Sequence, residues 1–277
     1  MNRSLRAPRR PWFDGRMTAQ TTSSADGTTI AYHEQGEGPA VVIVNGAMST
    51  AGDAGDLASA LAGAGYRAVS YDRRARVDSG DTRPYAPQRE AEDLAAVIDA
   101  VGGVAAVLGH SSGAVLALYA GSLGVRVGHL FLSEPPFNFG DDAPEGFEQR
   151  LQQLVDDGKP DDAVVTFQRE AIGLPEPVIE QIKQAPFFPS LVKLAQSVVY
   201  DATLTRHVST PTDAMTGIQS PVTILCGVQT FPDLQAAAVR LAQVMPQAES
   251  LRVAESVDHR IDPSATTAIV AARVPRG

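Results

Sequence analysis

The sequence predicts an α/β protein whose mainly parallel sheet is covered by helices on both faces. Two observations lead to this fold class. From residue 18 onward, short apolar runs of strand length alternate with longer stretches that carry apolar residues at helical spacing. Residues 137–219 break this rhythm, because they contain helical stretches separated by prolines and no convincing strand. A block of this kind inside an alternating chain predicts a helical lid inserted into an α/β core.

Eight segments have the composition of strands. The first two flank Asp26-Gly27, a dipeptide typical of a tight hairpin turn, and so predict an antiparallel pair. The other six are short apolar runs typical of buried strands. The predicted strands cover residues 18–24, 28–34, 40–44, 66–71, 104–108, 128–133, 222–226 and 250–254.

Helical periodicity predicts five helices in the core and four in the inserted block. The core helices cover residues 53–64, 87–101, 114–120, 234–244 and 265–273. The helices of the block cover residues 145–157, 161–172, 178–184 and 191–199. We therefore assign residues 17–139 and 219–277 to the α/β core and residues 140–218 to a helical cap. Residues 1–16 contain five arginines and the only tryptophan, and they predict a disordered basic extension before Met17.

Composition and charge exclude several classes of function. A net charge of −9 argues against a nucleic-acid partner, because phosphate binding needs a basic face. No apolar run reaches the roughly 18 residues that a membrane span needs, so we expect no membrane association and a cytoplasmic location. Cys226, the only cysteine, lies in an apolar run and is expected to be a buried hydrophobe. No Cys/His cluster has the spacing of a zinc site, so no metal is expected.

The pentapeptide 109–113, Gly-His-Ser-Ser-Gly, fits the nucleophile pattern Gly-x-Ser-x-Gly. It stands between a predicted strand and a predicted helix, the context that a nucleophile elbow requires. Ligands of open α/β sheets bind at the carboxyl ends of the strands, where this turn would lie. We therefore predict Ser111 as a nucleophile, the alternative being a tight packing turn.

A nucleophile of this type needs two N–H donors for the oxyanion. The backbone N–H of Ser112 would supply one of them. The second should come from the loop Asn45-Gly46-Ala47-Met48, which follows the third predicted strand. Ala47 is the first choice for that donor, with Met48 as the fallback.

The general base should be a histidine beyond the last strand. Of the five histidines, only His259 occupies such a position. His33 lies in the first hairpin, and His110 lies within the elbow itself. His129 begins a strand, and His207 lies in the inserted block.

The acid that orients His259 is harder to assign. Glu134 directly follows the strand 128–133 and preserves the chain order nucleophile, acid, base. Asp233 is the alternative, although we expect it to cap the helix that follows it. Asp258 and Asp262 are too close to His259 in the chain for easy alignment. A further alternative pairs Glu134 with an arginine of the loop 72–81.

Five segments together resemble those of α/β-hydrolase-fold proteins, over about residues 18–275. They read VVIVNGA, YDRRARVDSG, LGHSSGA, LSEPP and DHRIDP. More narrowly, the chain resembles small actinobacterial α/β hydrolases, whose loops often read Tyr-Asp-Arg-Arg-Gly-Arg-Gly-Asp-Ser-Gly and Glu-Pro-Pro. This resemblance implies an eight-stranded sheet, a helical cap, no cofactor and a Ser–acid–His triad. It also favours an acid after the sixth strand, which falls on Glu134.

Three positions depart from the pattern of that family. Asn45-Gly46 stands where His-Gly is usual, and Ala75-Arg76-Val77 stands where Gly-Arg-Gly is usual. Gln229-Thr230 occupies the place of an acid after the seventh strand. The first two departures lie beside the expected pocket, so the substrate or the reaction could have diverged.

Apolar and aromatic residues predict a pocket for a bulky apolar small molecule. The candidate pocket residues are Asn45, Met48, His110, Phe137, Phe187 and Phe188. The leading hypothesis is a serine hydrolase that cleaves an ester, lactone or thioester through an acyl-enzyme intermediate. The alternatives are a non-hydrolytic enzyme of secondary metabolism on the same scaffold (a cyclase, lyase or cofactor-free oxygenase) and a ligand-binding protein with a vestigial site. The expected partners are a small-molecule substrate and a second copy of the chain in a homodimer.

Overall fold

The structure is a computed structural model that describes residues 18–140 and 145–276. Its eight strands form one sheet in the order β1-β2-β4-β3-β5-β6-β7-β8. Strand β2 runs antiparallel to β1 and β4, and all the strands from β3 to β8 are parallel. The predicted fold class is confirmed. The predicted basic extension, residues 1–16, and the proposed first core residue, Met17, lie outside the described residues.

The strands lie close to their predicted positions. They are β1 (Thr18–Ser23), β2 (Thr29–Gln35), β3 (Ala40–Val44), β4 (Arg67–Tyr71), β5 (Ala105–His110), β6 (Val127–Ser133), β7 (Val222–Gln229) and β8 (Glu249–Val257). The last two are longer than predicted, because their pairing continues past an irregularity at Gly227 to join Gln229 with Val257.

Helices cover both faces of the sheet. The core helices are α1 (Gly55–Gly63), which follows a 3₁₀ turn over Ala51–Ala54, α2 (Pro87–Ala100), α3 (Ser112–Ser122), α10 (Pro232–Val244) and α11 (Pro263–Ala271). Among the described residues between β6 and β7, six further helices are present, and we call them the helical insertion. They are α4 (Phe147–Asp156), α5 (Pro160–Glu170), α6 (Glu176–Lys183), α7 (Phe188–Val192), α8 (Ala195–His207) and α9 (Asp213–Thr216).

One predicted helix of the insertion was wrong. Residues 191–199 do not form a single helix, because α7 ends at Val192 and α8 begins at Ala195. Helix α8 then continues beyond Val199, since Tyr200, Asp201 and Leu204 are all buried against the rest of the protein. Tertiary packing, which periodicity alone does not reveal, decides where this helix ends.

Strand β3 shows how the core is divided. Its apolar run is buried on both sides, as expected for a central parallel strand. Val42 and Val44 pack into the larger cluster, beside α2 and α3. Val41 and Ile43 point to the opposite face and pack beside α1 and α11. The two clusters fix the sheet rigidly, so the loops at its carboxyl edge start from well-defined positions.

Four of the loops at this carboxyl edge carry sequence-predicted site residues. The loop after β3 carries the predicted donor Ala47, and the turn after β5 carries the predicted nucleophile and the donor Ser112. The loops after β6 and β8 carry the predicted acid and base. No helix in the described part of the chain is both long enough and apolar enough to cross a bilayer.

Candidate active site

Ser111 lies in a tight turn between β5 and α3. Its backbone has φ 54° and ψ −126°, a conformation that residues with a side chain rarely adopt. Two glycines make this turn possible. A Cβ at Gly113 would lie 2.1 Å from the carbonyl oxygen of Val44, and one at Gly109 would lie 2.5 Å from a backbone atom of Ala114. Strain of this kind is typical of functional turns.

His259 lies just beyond β8, and its Nδ1 is hydrogen-bonded to Oε2 of Glu134. Glu134 is also held by β7 and the loop after it. The backbone N–H of Gly227 donates to Oε1 at 2.8 Å, and the hydroxyl of Thr230 donates to Oε2 at 2.9 Å. The carboxylate is therefore fixed from three sides, and it fixes the orientation of the imidazole in turn.

The charge of Glu134 is favoured by these contacts. Burial opposes ionisation, but the hydrogen bonds from His259, Gly227 and Thr230 hold the pKa of Glu134 below its usual value. An ionised carboxylate can stabilise an imidazolium when His259 takes up a proton.

The other candidate acids have different surroundings. Asp233 is exposed in the first turn of α10, and its side chain does not cap that helix, contrary to our expectation. Asp262 instead caps α11 by accepting from the N–H of Ala265. The arginines that could have paired with Glu134 bind other carboxylates: Arg73 pairs with Glu90 and Asp201, and Arg74 pairs with Asp93 and Asp26.

His110 packs beside the candidate base. Its ring centroid lies 4.6 Å from that of His259, and its Nε2 lies 3.2 Å from the backbone carbonyl oxygen of His259. A carbonyl only accepts, so Nε2 carries the proton and Nδ1 accepts from the hydroxyl of Ser133, 3.2 Å away. Burial and then the nearby His259 lower the pKa of His110 to about 4. A neutral His110 thus supports the backbone of His259.

Ser111 Oγ donates no hydrogen bond to His259 or to any other described residue. The two side chains must therefore approach each other before a proton can pass between them. Catalytic hydrogen bonds of enzymes without substrate are often this loose.

The candidate oxyanion donors lie in the loop after β3 and at the start of α3. Within the described residues, neither the Ala47 N–H nor the Ser112 N–H has a hydrogen-bond acceptor, and the same holds for the Met48 N–H. Gly46 brings the first loop close to the nucleophile, because a Cβ there would lie 2.9 Å from the Cβ of Ser111. Unpaired N–H groups at this place could stabilise an anion.

Sequence reasoning missed a cluster of buried charges beside these donors. It contains Arg73, Arg76, Glu90 and Asp201, each with 2 % exposure or less. The three arginines within residues 72–81, after β4, were the available signal, because buried arginines require buried carboxylates. The partner Asp201 lies in the insertion, where the sequence offers no comparable mark.

Comparisons with known proteins place the chain in a family. A model described as the alpha/beta hydrolase family matches residues 41–272. The chain belongs to this family. An alpha/beta hydrolase from Sphaerobacter thermophilus is 38% identical, with a TM-score of 0.84 over 91% of this chain and 98% of that one.

More distant structures share the fold of this alpha/beta hydrolase. A thioesterase domain from the curacin biosynthetic pathway is 18% identical, with a TM-score of 0.65 over 92% of this chain and 99% of that one. An epoxide hydrolase from Vigna radiata is also 18% identical, with a TM-score of 0.62 over 92% of this chain and 96% of that one. No curated protein matches the chain significantly.

The side chains of the predicted pocket residues of this hydrolase lie in different surroundings. Asn45 turns its amide into its own loop and donates to the carbonyl of Thr50 at 2.7 Å. Met48 packs against the apolar side chains of the insertion, as does Phe188. Phe187 is half-buried at the start of α7. Phe137 is buried in the larger core cluster.

One group of side chains in the described residues could hold a metal ion. Ligand atoms of His33, Asp72 and Asp78 all lie within 4.8 Å of one another. Asp72 already accepts from the N–H of Ala51 at 2.7 Å. This group is separate from Ser111 and His259, and nothing else in its surroundings indicates a ligand.

Proposed function

We propose that this protein is a serine hydrolase that cleaves an ester, lactone or thioester. The observation that carries the proposal is the buried Glu134 bonded to His259, which lies at the same sheet edge as Ser111 in its strained turn. This set of groups, in this chain order, is suited to acyl transfer. The fold alone would not distinguish acyl transfer from other chemistry.

The reaction takes place in two stages. Ser111 Oγ attacks the substrate carbonyl while its proton passes to Nε2 of His259, and Glu134 stabilises the resulting imidazolium. The N–H groups of Ala47 and Ser112 hold the negative oxygen of the tetrahedral intermediate. The proton then passes from His259 to the leaving oxygen or sulfur, and the acyl group remains on Ser111. Water, activated by His259, releases the acid and restores the serine.

The substrate in this proposal is an uncharged, bulky, apolar small molecule. Arg73 and Arg76, the arginines beside the donor loops, are both engaged by carboxylates, so neither supplies a cation for an anionic substrate. The half-buried rings of Phe187 and Phe188 belong to the insertion and offer apolar surface. The thioesterase and epoxide hydrolase among the structural neighbours also act in hydrolysis, as their names indicate.

We assign residues 140–218, which contain the helical insertion, to a cap over the site, and residues 17–139 and 219–277 to the catalytic core. The division is supported by the position of the six helices between two neighbouring parallel strands. A location in the cytoplasm and a homodimer stay predictions.

A fluorophosphonate probe tests the proposal. The wild-type protein is expected to be labelled at Ser111, as located by mass spectrometry, and Ser111→Ala is expected to abolish labelling. Glu134→Gln should slow labelling by roughly 100-fold or more, because the imidazole loses its orienting charge. Asp233→Asn is the matched control and should label at the wild-type rate.

Two outcomes would contradict parts of the proposal. Slow labelling of Asp233→Asn, with labelling of Glu134→Gln at the wild-type rate, would show that Asp233 and not Glu134 is the acid that orients His259. A folded wild-type protein that is not labelled and does not hydrolyse a small phenyl ester would overturn hydrolysis. It would favour the cyclase, lyase, oxygenase or binding alternatives.

A further inference from the structure

Asp201 belongs to α8 of the helical insertion, yet its carboxylate is fully buried beside the loops that carry the two candidate oxyanion donors. Its two oxygens bind different partners. Each oxygen leads, through a single side chain, to a different donor of the proposed oxyanion site.

The first oxygen holds the elbow. Oδ1 of Asp201 accepts from the hydroxyl of Ser112 at 2.7 Å and from Nη1 of Arg73 at 2.7 Å. Arg73 also donates to the hydroxyl of Ser112, at 3.1 Å. Ser112 is the residue whose backbone N–H is the donor next to the nucleophile. The side chain that carries this donor is therefore anchored directly to Asp201.

The second oxygen holds the opposite loop through Arg76. Nη2 of Arg76 donates to Oδ2 of Asp201 at 2.8 Å, and Nη1 donates to the carbonyls of Gly46 and Ser49, each at 2.7 Å. The Gly46 carbonyl and the Ala47 N–H belong to one planar peptide unit and point in opposite directions. Arg76 thus fixes the direction of the Ala47 N–H by holding the carbonyl behind it.

The cluster is balanced in charge. Arg73 and Arg76 face Glu90 and Asp201, and Nε and Nη2 of Arg73 form a paired contact with Glu90 at 2.6 and 2.8 Å. Burial disfavours the charge of Asp201, but the two arginines and the Ser112 hydroxyl hold its pKa below the usual value. An ionised Asp201 is therefore available to both donors at once.

We propose that Asp201 is a positioning residue that sets both halves of the oxyanion site, through Ser112 on one side and Arg76 on the other. The inference rests on the proposed function. It means that the helical insertion completes the catalytic apparatus of the core in addition to any contact with substrate.

Asp201→Asn tests this inference, with Asp93→Asn as the matched control. Asp93 is also buried and also holds an arginine, accepting from Nε and Nη2 of Arg74 at 2.7 Å each, but it contacts neither donor loop. Hydrolysis of p-nitrophenyl butyrate by Asp201→Asn is expected to show a kcat roughly 10- to 100-fold lower, with KM within about threefold of wild type. Affinity for phenylboronic acid, which forms a tetrahedral adduct on the serine, should fall by a similar factor.

A spectroscopic readout separates this role from damage to the histidine. The low-field proton signal of the His259–Glu134 hydrogen bond should persist in Asp201→Asn and disappear in Glu134→Gln. Asp201→Asn leaves uncompensated positive charge in the core and could fail to fold. Ser112→Ala is therefore the second variant. It removes one tether and keeps every ion pair, so kcat and boronic acid affinity should each fall roughly 3- to 10-fold.

The outcomes distinguish a failure of the positioning role of Asp201 from a failure of the proposed hydrolase function. An active wild type, with Ser112→Ala unchanged and any folded Asp201→Asn no worse than Asp93→Asn, would overturn the positioning role alone. A kcat and a KM that fall by similar factors in Asp201→Asn, with unchanged affinity for the boronic acid, would also overturn it. A wild type that is neither labelled nor active would overturn the proposed function and this inference with it.

Discussion

Glu134 reaches His259 across strand β7, which lies between them in the sheet, and the crossing point is Gly227. The carboxylate accepts from the Gly227 N–H at 2.8 Å as it passes. A Cβ at Gly227 would lie 2.8 Å from Oε1 of Glu134 and 2.5 Å from the carbonyl oxygen of Ser256. A carboxylate that follows β6 can therefore bond to a histidine after β8 only because β7 carries no side chain at Gly227.

Gly227→Ala is expected to displace Glu134 and lower kcat by roughly 10- to 100-fold, because His259 loses its orientation. The free energy of unfolding should also fall by about 1–3 kcal/mol, since the backbone at Ser256 must move. Ester hydrolysis and urea denaturation measure the two effects. Gly63→Ala, where no atom lies within 4 Å of the new Cβ, is the control and should leave activity unchanged. Wild-type activity in Gly227→Ala would refute the crossing geometry.

His110 makes the stability of the protein depend on pH. Because burial lowers its pKa to about 4 in the folded state, against an ordinary value of 6.5, only the unfolded state takes up this proton between those pH values. Stability is therefore lost as pH falls from about 6.5 to 4. His110→Gln should reduce the slope of unfolding free energy against pH in this window, by at most about 1.4 kcal/mol per pH unit. An unchanged slope in His110→Gln would exclude His110 as the source of this pH dependence.

Val77 occupies left-handed backbone, with φ 36°, and its side chain is 66% exposed. A β-branched residue is strained in this conformation, whereas glycine is not. Val77→Gly is therefore expected to raise the free energy of unfolding by about 1 kcal/mol, as measured by urea denaturation. Val104→Gly removes a similarly exposed valine without a positive φ and should lower stability by a few tenths of a kcal/mol or more. Equal losses in both variants would show that Val77 is not strained.

Gln168 carries a buried amide oxygen with no hydrogen-bond partner among the described residues. Its Nε2 lies 3.8 Å from the sulfur of Met48, which is a weak acceptor. Gln168→Leu should leave stability unchanged or raise it by about 1 kcal/mol in thermal and urea denaturation. Gln196→Leu is the control in the same insertion, and it should destabilise because Gln196 exchanges hydrogen bonds with Gln152. A loss above about 1 kcal/mol in Gln168→Leu would show that its amide has a stabilising partner.

Position after a strand is the sequence signal that the candidate site depends on most. Ser111 and His259 follow parallel strands, and all parallel strands end at one edge of the sheet, so their placement at the same edge follows from the strand order alone. The assignment of Glu134 as the acid required elimination of other carboxylates and the family resemblance. The sequence pattern alone does not reveal that Gly227 leaves room for the Glu134 carboxylate. The hydrogen bond to His259 agrees with that prediction in geometry.

Other features could not be predicted from periodicity. Asp201 lies on a helix whose two faces are both largely buried, so the spacing of its apolar residues does not mark the direction of the carboxylate. The left-handed backbone at Ala75 and Val77 is equally hidden, since neither residue type favours it. In both cases, long-range packing overrides the local preference of the chain.

In the positioning role proposed above, the carboxylate of Asp201 also limits how the helical insertion of this chain can be exchanged. A chimera that receives the helices of a relative between β6 and β7 keeps Arg73, Arg76 and Ser112, but it loses their shared counterion unless the donor has an acid at the same turn of its helix. Such a hybrid would contain an intact serine, histidine and glutamate and still be a poor catalyst. On this proposal, an exchange of the helical insertion has to keep an acid at the position of Asp201.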